Sequence, residues 1–126
     1  MKPKSIIIEI VNSMGYEAIP QGTLPFGKKY PDNFFTYFNI DTTYDSFYDN
    51  ENRKVIYEFW LFFYSCNPKN IDFFVEKTMN KALEELKKQG FIIKNPGEDV
   101  TSDVETHLGK MATIIYIEKK EETIYE

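Results

Sequence analysis

The sequence predicts a single α+β domain: one mostly antiparallel β-sheet with two helices packed on one of its faces. Three observations predict it. Two segments, one near the start and one past the middle, carry apolar residues at helical spacing. Between and after them lie runs rich in Phe, Tyr, Ile and Val, bounded by turn residues rather than by further helical patterns. Consecutive strands joined by short turns pair antiparallel, whereas parallel pairs need long crossovers. The 126 residues fit one domain, 1–126, and surface scaling lets such a chain bury about two-thirds of its unfolded surface. No repeat and no low-complexity linker divides it.

Each element follows from local signals. Residues 3–14 put Ile6, Ile7, Ile10, Val11 and Met14 on one helical stripe, with Pro3 in the first turn and Gly15 just past the end. A short strand is expected at Tyr16–Ile19, and residues 20–27, punctuated by Pro and Gly, read as a loop. Phe34–Ile40 alternates: Phe34, Thr36, Phe38 and Ile40 share one face, Phe35, Tyr37 and Asn39 the other. Asp41–Arg53 is polar except for Tyr44, Phe47 and Tyr48, and reads as a short edge strand or ordered loop with a turn at 49–52. Val55–Ser65 is the strongest strand, with Glu58 as its one charge. A helix is predicted from Pro68 to Gln89, with Asn67 as N-cap. Its apolar stripe holds Ile71, Phe74, Val75, Thr78, Met79, Ala82, Leu83 and Leu86. Lys87 and Lys88 complement the negative end of its dipole, and Gly90 follows as the terminating residue. Phe91–Lys94 reads as a short strand, Asn95-Pro96-Gly97 as a turn, Met111–Glu118 as the last strand and 121–126 as an exposed tail.

Val55–Ser65 and Met111–Glu118 are apolar on both alternating sets, so each wants cover on both faces. Two helices supply one. A returning loop or another subunit must supply the rest, which makes self-association an expectation of the sequence itself. The aromatic content points the same way: eleven Phe, nine Tyr and one Trp suit either a well-filled sheet core or a protein interface.

Charge and cysteine content exclude several classes. Fifteen basic against twenty acidic residues give −5, which argues against a module gripping nucleic-acid phosphates through a basic face and against a polybasic membrane binder. No apolar run approaches a membrane span, and the N-terminal apolar stretch is broken by Glu9 with no signal-peptide pattern. The single Cys66 rules out an intramolecular disulfide and a multi-cysteine zinc site, and suits a reducing compartment. The expectation is an intracellular globular domain.

Chemistry-bearing patterns are sparse. The six glycines, at 15, 22, 27, 90, 97 and 109, match no phosphate-binding loop and read as turns or helix caps. Cys66 and His107 are the only thiol and imidazole; a nucleophilic pair needs a base within reach and an orienting third group, and a small buried residue at a strand end is the simpler reading. Asp99, Thr101, Asp103, Glu105 and His107 alternate and, if extended, would offer carboxylates and an imidazole to a divalent metal; Asp, Ser and Thr are equally turn formers. Asp41, Asp45 and Asp49 fail the calcium-loop pattern, because Ser46 stands where Gly is needed and Asn52 where a bidentate Glu is needed. No catalytic, cofactor-binding or metal-binding residue is assigned, and no cofactor is expected.

Several segments together carry a family resemblance: Pro31-Asp32-Asn33-Phe34-Phe35-Thr36-Tyr37-Phe38-Asn39, Tyr48-Asp49-Asn50, Phe62-Phe63-Tyr64-Ser65 with Pro68, Gly90-Phe91, Asp99-Val100 with Ser102-Asp103, Thr106-His107 with Gly109, and Tyr116-Ile117-Glu118. Over residues 31–118 the chain resembles the tail terminator (tail-completion, head–tail joining) proteins of long-tailed bacteriophages and prophages. The resemblance implies a non-enzymatic virion structural protein. Such a subunit forms a homo-oligomeric ring, commonly a hexamer, at the head-proximal end of the tail tube, where it ends tube growth and joins tail to head. It further implies tail-tube and head-completion proteins as partners, no specific nucleic acid, no membrane, assembly in the host cytoplasm and a final place in the virion tail. Within that reading Phe34, Phe35, Tyr37, Tyr44, Phe47 and Tyr48 are expected interface residues, and Trp60 belongs either to the core or to the interface. Rival readings are a head-completion or connector protein, a small ligand-binding or regulatory domain with an aromatic pocket, and a metal-dependent activity at Asp99–His107.

Overall fold

The structure, a computed structural model, describes residues 2–20, 31–45, 52–66, 71–101 and 107–121. In chain order it contains α1 (Lys2–Ser13), β1 (Glu17–Pro20), β2 (Asn33–Asp45), β3 (Asn52–Ser65), α2 (Ile71–Lys88), β4 (Ile92–Thr101) and β5 (Leu108–Glu121). The strands form one five-stranded sheet in the order β1-β2-β3-β5-β4. β1 runs parallel to β2, and every other neighbouring pair is antiparallel. The α+β architecture predicted from sequence is therefore the one observed.

Both helices end in the same way. In α1, Gly15 takes a φ of 91°, its N–H donates to Asn12 O, and the Tyr16 N–H donates back to Val11 O. In α2, Gly90 takes a φ of 100°, its N–H donates to Lys87 O, and the Phe91 N–H donates to Leu86 O. This paired pattern, with a left-handed glycine, closes the last helical carbonyls that would otherwise lack partners. The aromatic residue after each glycine packs onto the sheet: Tyr16 against Phe35 and Phe63, Phe91 against Tyr116.

The core lies between the helices and one sheet face. Ile7 and Val11 of α1 and Val75, Met79, Ala82, Leu83 and Leu86 of α2 meet Phe35, Tyr37, Phe59, Leu61, Phe63, Ala112 and Ile114. The i, i+3/i+4 spacing of the helical set and the i, i+2 spacing of the strand set make this meeting possible.

Several elements differ from their predicted extents, β3 among them, which starts at Asn52 rather than Val55. Of the two alternatives for the start of Asp41–Arg53, a strand or an ordered loop, residues 41–45 take the strand, as a continuation of β2 past a bulge between Asn39 and Asp41. The Asn39 side chain holds that bulge: its Nδ2 donates to Asp41 O at 2.9 Å and to Glu58 O at 3.0 Å, while its Oδ1 accepts from Thr42 Oγ1 at 2.8 Å. β4 runs straight through Asn95-Pro96-Gly97, the predicted turn, by means of two register shifts. Pro96 is tolerated because β4 is an edge strand, and the glycine at φ 151° sits where such shifts occur. Gly109 lies inside β5 rather than in a turn or cap. The predicted N-cap Asn67, Pro68, most of the 20–27 loop and residues 122–126 lie outside the described residues.

Candidate interaction surface

Alternation along the strands builds a second face on the sheet, opposite the helices. Register fixes its rows. Phe38 stands opposite Trp60, and Trp60 opposite Thr113. One row on, Glu58 faces Ile115, and Ile115 faces Ile92. The next row pairs Ile56 with Ile117.

The face has two halves. At the end near Ser65 it is closed. Phe34, Phe62 and His107 are buried there. Phe34 meets the Tyr64 ring at 5.4 Å and the His107 ring edge-on at 5.6 Å, and Phe62 stacks on Tyr64. His107 Nε2 lies 3.0 Å from Pro31 O; a carbonyl only accepts, so this nitrogen carries the hydrogen. Tyr64 lies across the bare backbone of Gly109, close enough that a Cβ there would stand 2.5 Å from its ring. Thr36 is also buried on this face, and its Oγ1 has no hydrogen-bond partner among the described residues.

The other half is open. Phe38 is 48% exposed, Trp60 36%, Ile92 50% and Ile117 39%. With roughly 200 Å² for a whole side chain of this size, these four present about 350 Å² of mostly apolar surface. That lies in the range of the largest patch on an ordinary monomer, and such patches are often functional. Within the patch Lys94 Nζ pairs with Glu58 Oε2 at 3.2 Å, so the carboxylate in its midst is compensated locally.

The expected interface residues are split by the structure. Phe35 and Tyr37 belong to the core between sheet and helices, and Phe34 is buried in the closed half of the outer face. These three are corrected: their area is already spent within the subunit, so they have none to offer a partner. Burial raises the Tyr37 phenol above its ordinary value. Tyr44 is 73% exposed and stands opposite Val55 on the helix side. Phe47 and Tyr48 lie outside the described residues. Trp60, whose alternatives the sequence leaves open, is on the outer face. Sequence reasoning missed Ile92 and Ile117: both alternating sets of β5 are apolar and Phe91-Ile92-Ile93 is an unbroken apolar run, so nothing in either pattern says which residues face the helices.

Of the alternating Asp99–His107 segment, Asp103 and Glu105 lie outside the described residues. Asp99 pairs with Lys110 through an ion pair at 3.0 Å, and His107 is turned to Pro31 and Phe34. Among the described residues no group of three or more His, Cys, Asp or Glu is placed to hold a metal ion. Cys66 stands at the end of β3, its N–H donating to Asp32 O at 3.0 Å. Among the described residues no helix is long and apolar enough to cross a membrane. No protein-family model and no curated protein matches the chain.

Proposed function

We infer that this chain is a structural, non-enzymatic subunit of a phage or prophage tail. It associates with copies of itself into a closed ring at the head-proximal end of the tail tube, ends tube growth and provides the surface that joins tail to head. The observation that carries the reading is the open half of the outer sheet face, where Phe38, Trp60, Ile92 and Ile117 are left to water. A standard interface buries about 800 Å² per partner, and a patch of about 350 Å² gives such an interface its apolar centre while the polar surroundings form the rim. The resemblance of residues 31–118 to tail terminators supplies the particle in which such a subunit works.

The test is the mass of the purified protein by light scattering across micromolar concentrations, alone and with purified tail tubes, for wild type and Trp60→Ala. The expected result is a closed oligomer, in solution or on tube ends, that Trp60→Ala weakens. A wild-type chain that is monomeric in solution and also leaves tube ends bare overturns the reading. Binding to isolated heads but not to tubes assigns it to head completion instead.

A further inference from the structure

We propose that the partner of the outer sheet face is the solvent side of α2 on the next copy, so that the subunits join head to tail. The proposal rests on the self-association inferred above and names the second half of that contact.

A closed ring needs a heterologous contact, in which two different surfaces of one subunit meet. The fold offers two, on opposite sides. One is the patch around Trp60. The other lies on α2, beyond the residues that face the sheet. There Phe73 is 68% exposed, an unusual place for a large aromatic on an otherwise charged helix face. Beside it runs an open groove of about 600 Å³ lined by Phe73, Glu76, Lys77, Asn80, Lys81 and Glu84. Because Val75, Met79, Ala82 and Leu86 turn toward the sheet, this groove looks directly away from it.

The two surfaces complement each other. The sheet patch is apolar, with Glu58 and the exposed Asp41 along one row. The helix side brings one aromatic anchor and two lysines, Lys77 and Lys81, one turn apart. With Phe73 seated against Phe38 and Trp60, the lysines one turn on are offered to the exposed Asp41 one row on, Glu58 being already held by Lys94. Two sheet faces brought together would leave Phe73 in water on both copies. The apolar area of the sheet patch falls short of a standard interface, and the helix side supplies the remainder.

The test is a mixing experiment. Phe73→Asp disables the helix side, and Phe38→Asp or Ile92→Asp, each at an exposed position, disables the sheet side; far-ultraviolet circular dichroism checks that all remain folded. Each variant alone is expected to run as a monomer where wild type assembles. An equimolar mixture of one helix-side and one sheet-side variant retains one intact contact and is expected to give a species of twice the protomer mass. Phe73→Asp assembling like wild type overturns the proposal while leaving self-association standing. So does a mixture that stays monomeric. A wild type that never assembles, with or without tail tubes, removes the ring reading and this contact with it.

Discussion

Replacing Gly109 by Ala tests how closely β3 and β5 approach. A Cβ at this position would stand 2.5 Å from Tyr64 Cδ1, 2.8 Å from Tyr64 Cε1 and 2.8 Å from the Phe63 carbonyl oxygen, where an unstrained carbon contact needs about 3.5–4.0 Å. The ring is not free to swing away, since Phe62 stacks on it and Phe34 abuts it. The carbonyl belongs to the ladder of β3 and has still less freedom. Overpacking of this kind costs about 1–3 kcal/mol. Against it, losing a glycine from the unfolded chain returns about 0.4–1 kcal/mol. The clash wins, and the net destabilisation is about 1–2 kcal/mol. At about 2.1 cal/mol/K of unfolding entropy per residue, a chain of this length loses roughly 4–8 °C of melting temperature. Thermal and urea unfolding of wild type, Gly109→Ala, Tyr64→Ala and the double variant measure it. Tyr64→Ala should cost less in the Gly109→Ala background than alone, because it removes part of the collision. A Gly109→Ala protein that melts at or above the wild-type temperature would refute the reasoning.

Three further outcomes are expected. Thr36→Val should raise stability by about 1 kcal/mol in urea titration, because it removes a buried hydroxyl that has no partner among the described residues; a loss of stability would show that the hydroxyl is satisfied. Tyr57 is held above the usual phenol value, first by burial and then by the charge of Glu118 and the hydrogen bond to it. A raised phenol leaves stability intact below pH 10 and erodes it as the pH climbs from there toward the folded value, because the unfolded state ionises first. Tyr57→Phe should flatten that alkaline slope in unfolding measured between pH 8 and 11, and an unchanged slope would count against it. Duplex DNA should bind weakly at physiological salt: one chain carries −5, and a ring of six as proposed would carry −30, so counterion release offers no gain. Tight, salt-sensitive retention in an electrophoretic shift would contradict this.

Much of the fold is legible locally. The helix ends are written in Gly15 and Gly90, whose left-handed backbones need no tertiary information to be recognised. The strand cores are written in unbroken aromatic and β-branched runs. What is not legible depends on partners far along the chain. Asn39 reads as an ordinary strand residue, yet its side chain carries β2 across a bulge only because Glu58 of β3 lies beside it. Asn95-Pro96-Gly97 carries every mark of a turn and becomes part of an edge strand because β5 offers Met111 and Thr113 as partners on either side of the shift. The candidate surface was half legible: two apolar sets on β3 announce a second contact face, but only the position of the helices decides that Trp60 is on it and that Phe35 and Tyr37 are not.

The strand order has a consequence for synthesis. β3 pairs with β2, made just before it, and with β5, made last, so that Ser65 waits for Leu108 and Asn52 for Glu121. At about 5–20 residues per second on the ribosome, the most apolar strand of the chain stands for roughly 3–11 s with one edge unpaired. An open, flat, aromatic edge recruits other strands. α2 emerges within that interval and covers one face of β3, but it does nothing for the edge. Chains cut short before β5 are therefore the ones that should be lost to aggregates, and the last fifth of the sequence acts as the nascent chain's closing seam.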